Sequence, residues 1–265
     1  MIFKNFFKDT NSKRDSKENV DPIADLKPDS KENLGSTVDS KIESKKELPP
    51  YEKTGFLRDI GTRRKLKKNY GELSREVAEN ITPQEEEVIK DYTGDGYKNM
   101  NKILYASERC YFNAMERKQL QKKIDTMTAL IDKRTLEQQG IFYRGMDSAT
   151  AIFGQDIFKL DLKALREKYV GEEFVSKSFW SMSFSKGIAK RFSEGYGGIV
   201  IEAKIPKGAN ALCVGKVGIL GGAEGEVILQ RGMTFKIDSI DFRNKKFYVK
   251  MTAIEVSKND QNGNT

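Results

Sequence analysis

The chain has 265 residues, 37% hydrophobic and 32% charged, which suffices for one good-sized domain or two small ones. It contains no His and only two Cys, Cys110 and Cys213, which excludes a His-bearing zinc site, a Ser-His-Asp triad and a Cys-His dyad. Two Cys so far apart make no disulfide framework, and the net charge of +8 raises nucleic acid or an acidic membrane as a partner.

The charge is local. Residues 1–50 carry ten positive and ten negative side chains, whereas residues 51–70 carry seven and two, centred on Arg63, Arg64, Lys65, Lys67 and Lys68. A solvated basic linker or helix start and a phosphate-binding patch both fit the 53–68 run. Interleaved aromatics that would stack on single-stranded bases are missing from it, so no nucleic acid is expected as a partner.

At the N-terminus, Ile2, Phe3, Phe6 and Phe7 share a helical face beside Lys4 and Lys8. This stretch is too short for a secretory h-region and lacks a small-residue cleavage site, leaving a weak amphipathic anchor or a frayed end. No run approaches the roughly eighteen apolar residues of a membrane span, so no stable membrane insertion is expected. From Asp9 to Pro50 there is no aromatic residue, four of the six prolines occur, and DSKEN appears twice. Such a segment buries too little apolar area to offset its ordering entropy, which predicts a disordered charged tail over 1–55.

Thr82-Pro83-Gln84-Glu85 is a capping box with Pro at the first helical position, starting a helix that runs to about Asp91. After the Gly94-Asp95-Gly96 turn, Tyr97, Asn101, Leu104 and Tyr105 share a face, and a long amphipathic helix is predicted over Tyr111 to Lys133. Strands are predicted at 140–144, 174–184, 198–205, 209–214, 226–231, 234–240 and 247–256, with short helices near 161–169 and 185–193. Strands that follow one another by short turns argue for antiparallel sheets and an α+β domain spanning 56–258, followed by a flexible end over 259–265.

Three glycine-rich stretches imitate known motifs and fail on chemistry. Gly94-Asp95-Gly96 lacks the third Gly of a dinucleotide fingerprint. Asp91 to Lys102 puts Lys where a calcium loop needs a bidentate carboxylate, and Gly218 to Gly225 has no following Lys-Ser or Lys-Thr. No metal is expected. The last stretch reads as a glycine-rich loop ahead of the strand Val227-Ile228-Leu229. It delivers Glu224 and Glu226, which period-two geometry puts on one face with Cα atoms about 7 Å apart. Alone, such a pair is an ordinary solvated strand face.

Arg144 ends the strand Ile141-Phe142-Tyr143 and precedes Gly145, and Ser181-Met182-Ser183 lies within another strand. Strand-Arg, strand-Ser-x-Ser and Glu-x-Glu, in this order, resemble the Arg-Ser-Glu class of mono-ADP-ribosyltransferases, and in particular its bacterial exoenzyme toxins. TGDGYKNMNKIL, FVSKSFWSMSFSKGIAKRF and EVILQRGMTFKI extend the likeness over about 70–256. The resemblance implies an ADP-ribosyltransferase fold in which N-terminal helices pack on two antiparallel β-sheets that form an NAD cleft. It implies NAD as the substrate, bound by Arg144, Gly145, Tyr92, Tyr97, Asn101, Ser183 and Phe192, and catalysis by Glu226, Glu224, Ser181 and Arg144.

The chemistry is compatible with a chain lacking His. Nicotinamide departs as a neutral molecule and needs no general acid, whereas the oxocarbenium-like ribose needs a carboxylate, as in glycoside hydrolysis. By the resemblance, Glu226 is that carboxylate, Ser181 holds it, and Arg144 forks onto a pyrophosphate oxygen. Glu224 selects the acceptor, since Glu at that position goes with arginine. The pattern departs at Met182, which replaces the central Thr and points away from Ser181. It departs again at Gly197-Gly198, where relatives carry an Arg, leaving pyrophosphate contact to Lys190 or Arg191. The aromatic that actin-modifying relatives place before Glu224 is also absent.

Two other readings fit the residues: an NAD glycohydrolase indifferent to Glu224, and a non-catalytic binding module that docks through 53–68. The resemblance implies a toxin or effector acting in the cytoplasm of a target cell, exported without a Sec signal, or a phage enzyme that modifies host proteins. The acceptor is then a target protein that presents an arginine.

Overall fold

The computed structural model describes residues 45–51, 56–105, 112–219 and 225–257. Four helices come first: α1 (Phe56–Glu79), α2 (Pro83–Asp91), α3 (Tyr97–Leu104) and α4 (Ala114–Asp132). Sequence reading leaves the first half of α1 as a basic linker, a helix start or a phosphate-binding patch, and predicts no helix over its second half. Its second half has a helical stripe at Tyr70, Leu73, Ser74 and Val77, and Tyr70, Ser74 and Val77 are buried.

α2 starts at the expected capping box: the Thr82 hydroxyl accepts from the Glu85 amide at 3.3 Å, and the Glu85 carboxylate accepts from the Thr82 amide at 2.8 Å. A wide turn over Tyr92–Gly96 kinks the chain at Gly94 into α3. A second capping box, Asn113 with Glu116, starts α4 three residues later than predicted. Asn210 Nδ2 lies within bonding reach of the carbonyls of Ile131, Asp132 and Arg134 at its other end, so the orphan carbonyls of the last turn find a donor.

The strands are β1 (Lys45–Glu47), β2 (Gly140–Met146), β3 (Glu173–Ser176), β4 (Trp180–Ser183), β5 (Gly198–Ile205), β6 (Ala211–Cys213), β7 (Glu226–Leu229), β8 (Met233–Arg243) and β9 (Lys246–Ser257). Between β2 and β5 lie α5 (Thr150–Phe153), α6 (Leu162–Tyr169) and α7 (Lys186–Phe192). Hydrogen bonding runs in the order β3-β8-β9-β5-β2-β4-β7-β6, with β1 beside β9.

The two expected antiparallel sheets are the two halves of this path. They join at β2 and β4 through a single register pair, Tyr143 with Ser183. Every pairing is antiparallel except β5 with β9. β9 returns from β8 through a two-residue turn, Asn244-Lys245, both at positive φ as a tight hairpin of this twist requires. Its other edge then meets β5 in parallel.

Two differences from the sequence reading go beyond the trimming or extension of element ends. The stretch 174–184 is two strands in different halves, because residues 177–179 turn the chain from β8's edge to β7's. Lys45–Glu47, assigned to the disordered tail, pairs with Glu255 to Ser257, and Leu48 is buried beside it. A polar three-residue strand carries no periodic signal of its own; the edge of β9 supplies its order.

The smaller half, β4-β7-β6, separates two cores. Trp180, Met182, Val227, Leu229, Ala211 and Cys213 face one core, shared with the larger half. Leu212 and Ile228 face the other, against Ile89, Met100, Ile124, Met127 and Ile131 of the helices. Ser181, Ser183 and Glu226 share the register face of Ile228, toward the helical layer. Met182 takes the opposite face, as expected from the strand period.

Candidate active site

Tyr143, Arg144, Gly145, Ser181, Met182, Ser183, Ile188, Ala189, Phe192 and Glu226 line one open cleft where the two half-sheets meet. Arg144, Gly145, Ser181, Ser183, Phe192 and Glu226, all named from sequence, thus come together. They arrive from β2, β4, α7 and β7, separated by up to 82 positions in the chain.

Register explains the central contact. Ser183 lies directly opposite Glu226, and Ser181 opposite Ile228, so Ser181 and Glu226 are diagonal neighbours on one face. The Ser181 hydroxyl donates to Glu226 Oε1 at 2.5 Å. Such a charge-assisted bond fixes the carboxylate's direction. At the same residue, the Tyr70 hydroxyl donates to the Glu226 backbone carbonyl at 3.1 Å, and the Val214 amide donates to the same oxygen at 3.2 Å. Burial pushes the Tyr70 phenol far above its ordinary pKa, with Cys213 and Glu226 adding to the effect, so it stays a donor at working pH.

Arg144 is anchored from below. Its Nη1 donates to the Ser181 carbonyl at 2.8 Å, and its guanidinium lies over the Trp180 ring, 5.7 Å from the centroid. Its Nε is buried without a hydrogen-bond partner among the described residues. A buried charged donor left over in a cleft calls for an anionic ligand, since leaving it unmet costs about 1–3 kcal/mol or more. Gly145 serves packing as well as access: a Cβ there would lie 1.8 Å from the Ala189 carbonyl, so α7 rests directly on the β2 backbone. Ser185 caps α7, its hydroxyl accepting from the Ile188 amide at 3.4 Å, and the Ser183 hydroxyl accepts from the Ser185 amide at 3.0 Å.

Tyr92, Tyr97 and Asn101 do not line the cleft; they lie buried in the helical layer. Tyr92 is buried, donates to the Phe179 carbonyl at 3.0 Å and meets the Phe179 ring edge-on. Burial drives its phenol far up, against the opposing pull of the Arg144 charge, and the Glu226 charge raises it further. Burial pushes Tyr97 up to about 12, again opposed by Arg144. Both rings therefore sit within electrostatic reach of the site. Asn101 is buried with its Oδ1 unpartnered among the described residues, the second unmet polar atom in this region.

Glu224 lies outside the described residues, as does Cys110. Lys190 and Arg191, the expected substitutes for a missing Arg, lie exposed on α7 rather than in the cleft lining. At Gly198 a Cβ would lie 2.3 Å from the Ser193 carbonyl, so the backbone there packs closely on the end of α7. Sequence reading missed Tyr70 and the role of Trp180 under Arg144. The i, i+3, i+4, i+7 stripe from Tyr70 to Val77 was the available signal for the first. Among the described residues no cluster of acidic or Cys side chains could hold a metal.

The sequence pattern of the ADP-ribosyltransferase exoenzyme family matches residues 67–259, and the chain belongs to that family. It is 26% identical over 167 residues to NAD(+)–arginine ADP-ribosyltransferase EFV of Enterococcus faecalis, which covers 61% of this chain; the chain spans only 30% of that relative's length. In fold it is similar to Plx2a, an ADP-ribosyltransferase toxin from Paenibacillus larvae, with a TM-score of 0.60, 21% identity, and coverage of 72% of this chain and 96% of that one. It is also similar to the ADP-ribosyltransferase Vis of Vibrio splendidus, solved in complex with agmatine, at TM-score 0.53, 19% identity, and coverage of 81% and 91%.

Proposed function

We propose that this protein transfers ADP-ribose from NAD to an arginine side chain of a target protein, releasing nicotinamide. The observation that carries the reading is the Glu226 carboxylate held at 2.5 Å by Ser181 in a cleft that also presents Arg144 with an unmet buried Nε. The name of the Enterococcus relative and the agmatine in the Vis structure support the arginine acceptor.

In this reading the glycosidic C–N bond of NAD breaks, its electron pair leaving with nicotinamide, and a guanidinium nitrogen bonds to the ribose C1′. Glu226 stabilises the positive charge that develops on the ribose, through the 2′-hydroxyl and its own field in a partly desolvated cleft. Ser181 keeps the carboxylate from rotating away, so no reorganisation is needed as the charge appears. Arg144 holds the pyrophosphate by its free Nε edge and is itself fixed by the Ser181 carbonyl and Trp180. Glu224 orients the acceptor guanidinium and takes the proton it loses on bond formation. Without that carboxylate the same ribose cation goes to water.

The test is transfer of label from NAD to agmatine, with nicotinamide followed in parallel, for wild type and Glu224→Gln. Wild type is expected to label agmatine. Glu224→Gln is expected to lose labelling while still releasing nicotinamide. Nicotinamide release without labelled agmatine in the wild type would contradict the arginine acceptor.

A further inference from the structure

Glu226 is held at both ends by residues of different elements. The tip of its side chain meets the Ser181 hydroxyl, and its backbone carbonyl meets the Tyr70 hydroxyl of α1 as well as the Val214 amide. Glu226 opens β7 and is half-buried, whereas Val227, Ile228 and Leu229 behind it are completely buried. Packing therefore fixes the rest of the strand more firmly than its first residue, and hydrogen bonds count for more at Glu226.

The Tyr70 phenol occupies a closed seat. Its buried ring meets the Phe184 ring edge-on at 5.1 Å, and Phe184, which follows Ser183 at the end of β4, packs on Phe142 of β2 at 5.0 Å. A Cβ on Gly215 would lie 2.5 Å from the Tyr70 hydroxyl, so the turn after β6 has no room for a side chain where the phenol ends. Tyr70 does not line the cleft; it reaches β7 from the core that the two half-sheets share. One turn further along the same face of α1, the Ser74 hydroxyl accepts from the Lys216 amide at 2.6 Å, a bond to a residue outside the cleft lining.

We propose that Tyr70 is a positioning residue for the Glu226 carboxylate: it fixes the backbone from which the side chain springs, while Ser181 fixes the tip. A carboxylate tied only at its tip is still carried sideways by its backbone, and a displacement on the order of 1 Å at a reacting group can cost about 100-fold in rate. This inference rests on the cleavage of NAD by Glu226 proposed above and deepens it.

Tyr70→Phe keeps the ring against Phe184 and removes only the hydroxyl. The Val214 amide still satisfies the Glu226 carbonyl, so the variant should fold. Ser74→Ala removes the other hydroxyl of the same helix face and controls for a general loosening of α1. Ser181→Ala keeps the Glu226 charge, so it should slow release without abolishing it. The kcat and KM of nicotinamide release from NAD, without agmatine, would be measured for the full-length wild type, these three variants, and Tyr70→Phe combined with Ser181→Ala. Thermal melts would show each protein folded at the assay temperature.

Tyr70→Phe is expected to lower kcat about fivefold, the factor that a lost hydrogen bond of ordinary net strength corresponds to, with KM for NAD within about twofold. Ser74→Ala should leave both within about twofold. In the Ser181→Ala background the tip swings free, so adding Tyr70→Phe should cost less than about twofold, a coupling that a role in folding alone does not produce. A kcat for Tyr70→Phe equal to wild type, beside a wild type that releases nicotinamide, would overturn this inference and leave the NAD-cleavage reading intact. An equal loss in Ser74→Ala, or the same loss repeated on top of Ser181→Ala, would also overturn it by assigning Tyr70 to the general stability of α1. A wild type that releases no nicotinamide from NAD would remove the reading itself and this inference with it.

Discussion

The two halves of the sheet solve different problems. The half made of β4, β7 and β6 has apolar side chains on both faces, one packed on the helices and one on the larger half, and it carries Ser181 and Glu226. The larger half buries one face and leaves much of the other to α7 and to ion pairs such as Glu202 with Lys186 at 3.4 Å and Lys204 with Asp238 at 2.9 Å. In the transferase reading Glu226 needs a direction that thermal motion does not blur, and a strand clamped between two cores supplies it. The outer face of the larger half needs only solubility.

The largest effect that would sharpen this contrast is on chemistry. Glu226→Gln should lower the rate of nicotinamide release by at least about 10³-fold, since it removes the charge opposite the developing cation while preserving shape; its thermal transition should stay near wild type. Next, Ile228→Ala, one strand position beyond Glu226 on the same face, should cost about 2–5 kcal/mol in denaturant unfolding, because a fully buried side chain leaves a cavity between strand and helices. Glu202→Gln on the outer face should cost about 1 kcal/mol or less, its contacts with Lys186 and Lys250 being long, at 3.4 and 3.9 Å, and both lysines partly open to solvent. If Glu202→Gln destabilised as much as Ile228→Ala, the distinction between the halves would fail.

The smallest effect concerns the helical layer. The Thr82 amide, more than any other neighbour, holds the Glu85 carboxyl below its ordinary pKa. A lowered folded-state value means the cap's contribution is full above the unfolded pKa of about 4.3 and is lost as pH falls through the folded value. Glu85→Gln should therefore narrow the stability difference from wild type as the solution is acidified below that range, a trend that thermal melts across acid pH would reveal.

Legibility followed the range of the interactions. The capping box at Thr82 and the placement of Met182 on the face opposite Ser181 are set by residues a few positions apart, and the sequence carried them, whereas the stripe read at α3 took in Tyr105, which is exposed, and left out the fully buried Met100. Arg144, Ser181 and Glu226 could be named from their order and residue types, but not their meeting, which depends on the registers of β4 with β7 and of β2 with β4. α1 was hidden because its basic first half masks the stripe from Tyr70 to Val77. β1 and the parallel pairing of β5 with β9 depend on an edge offered by a distant strand, for which no local pattern exists. Arg144 shows the limit most clearly: its residue type announces anion binding, yet the backbone carbonyl and the Trp180 ring that aim it come from the neighbouring half-sheet.

The central claim is that the carboxylate held by Ser181 drives the cleavage of NAD. The most direct test compares nicotinamide release by wild type and Glu226→Gln at saturating NAD, with NAD affinity measured in both. The account predicts steady release by wild type, release at background by Glu226→Gln, and affinities within a few fold of each other. Release by Glu226→Gln at the wild-type rate would contradict it.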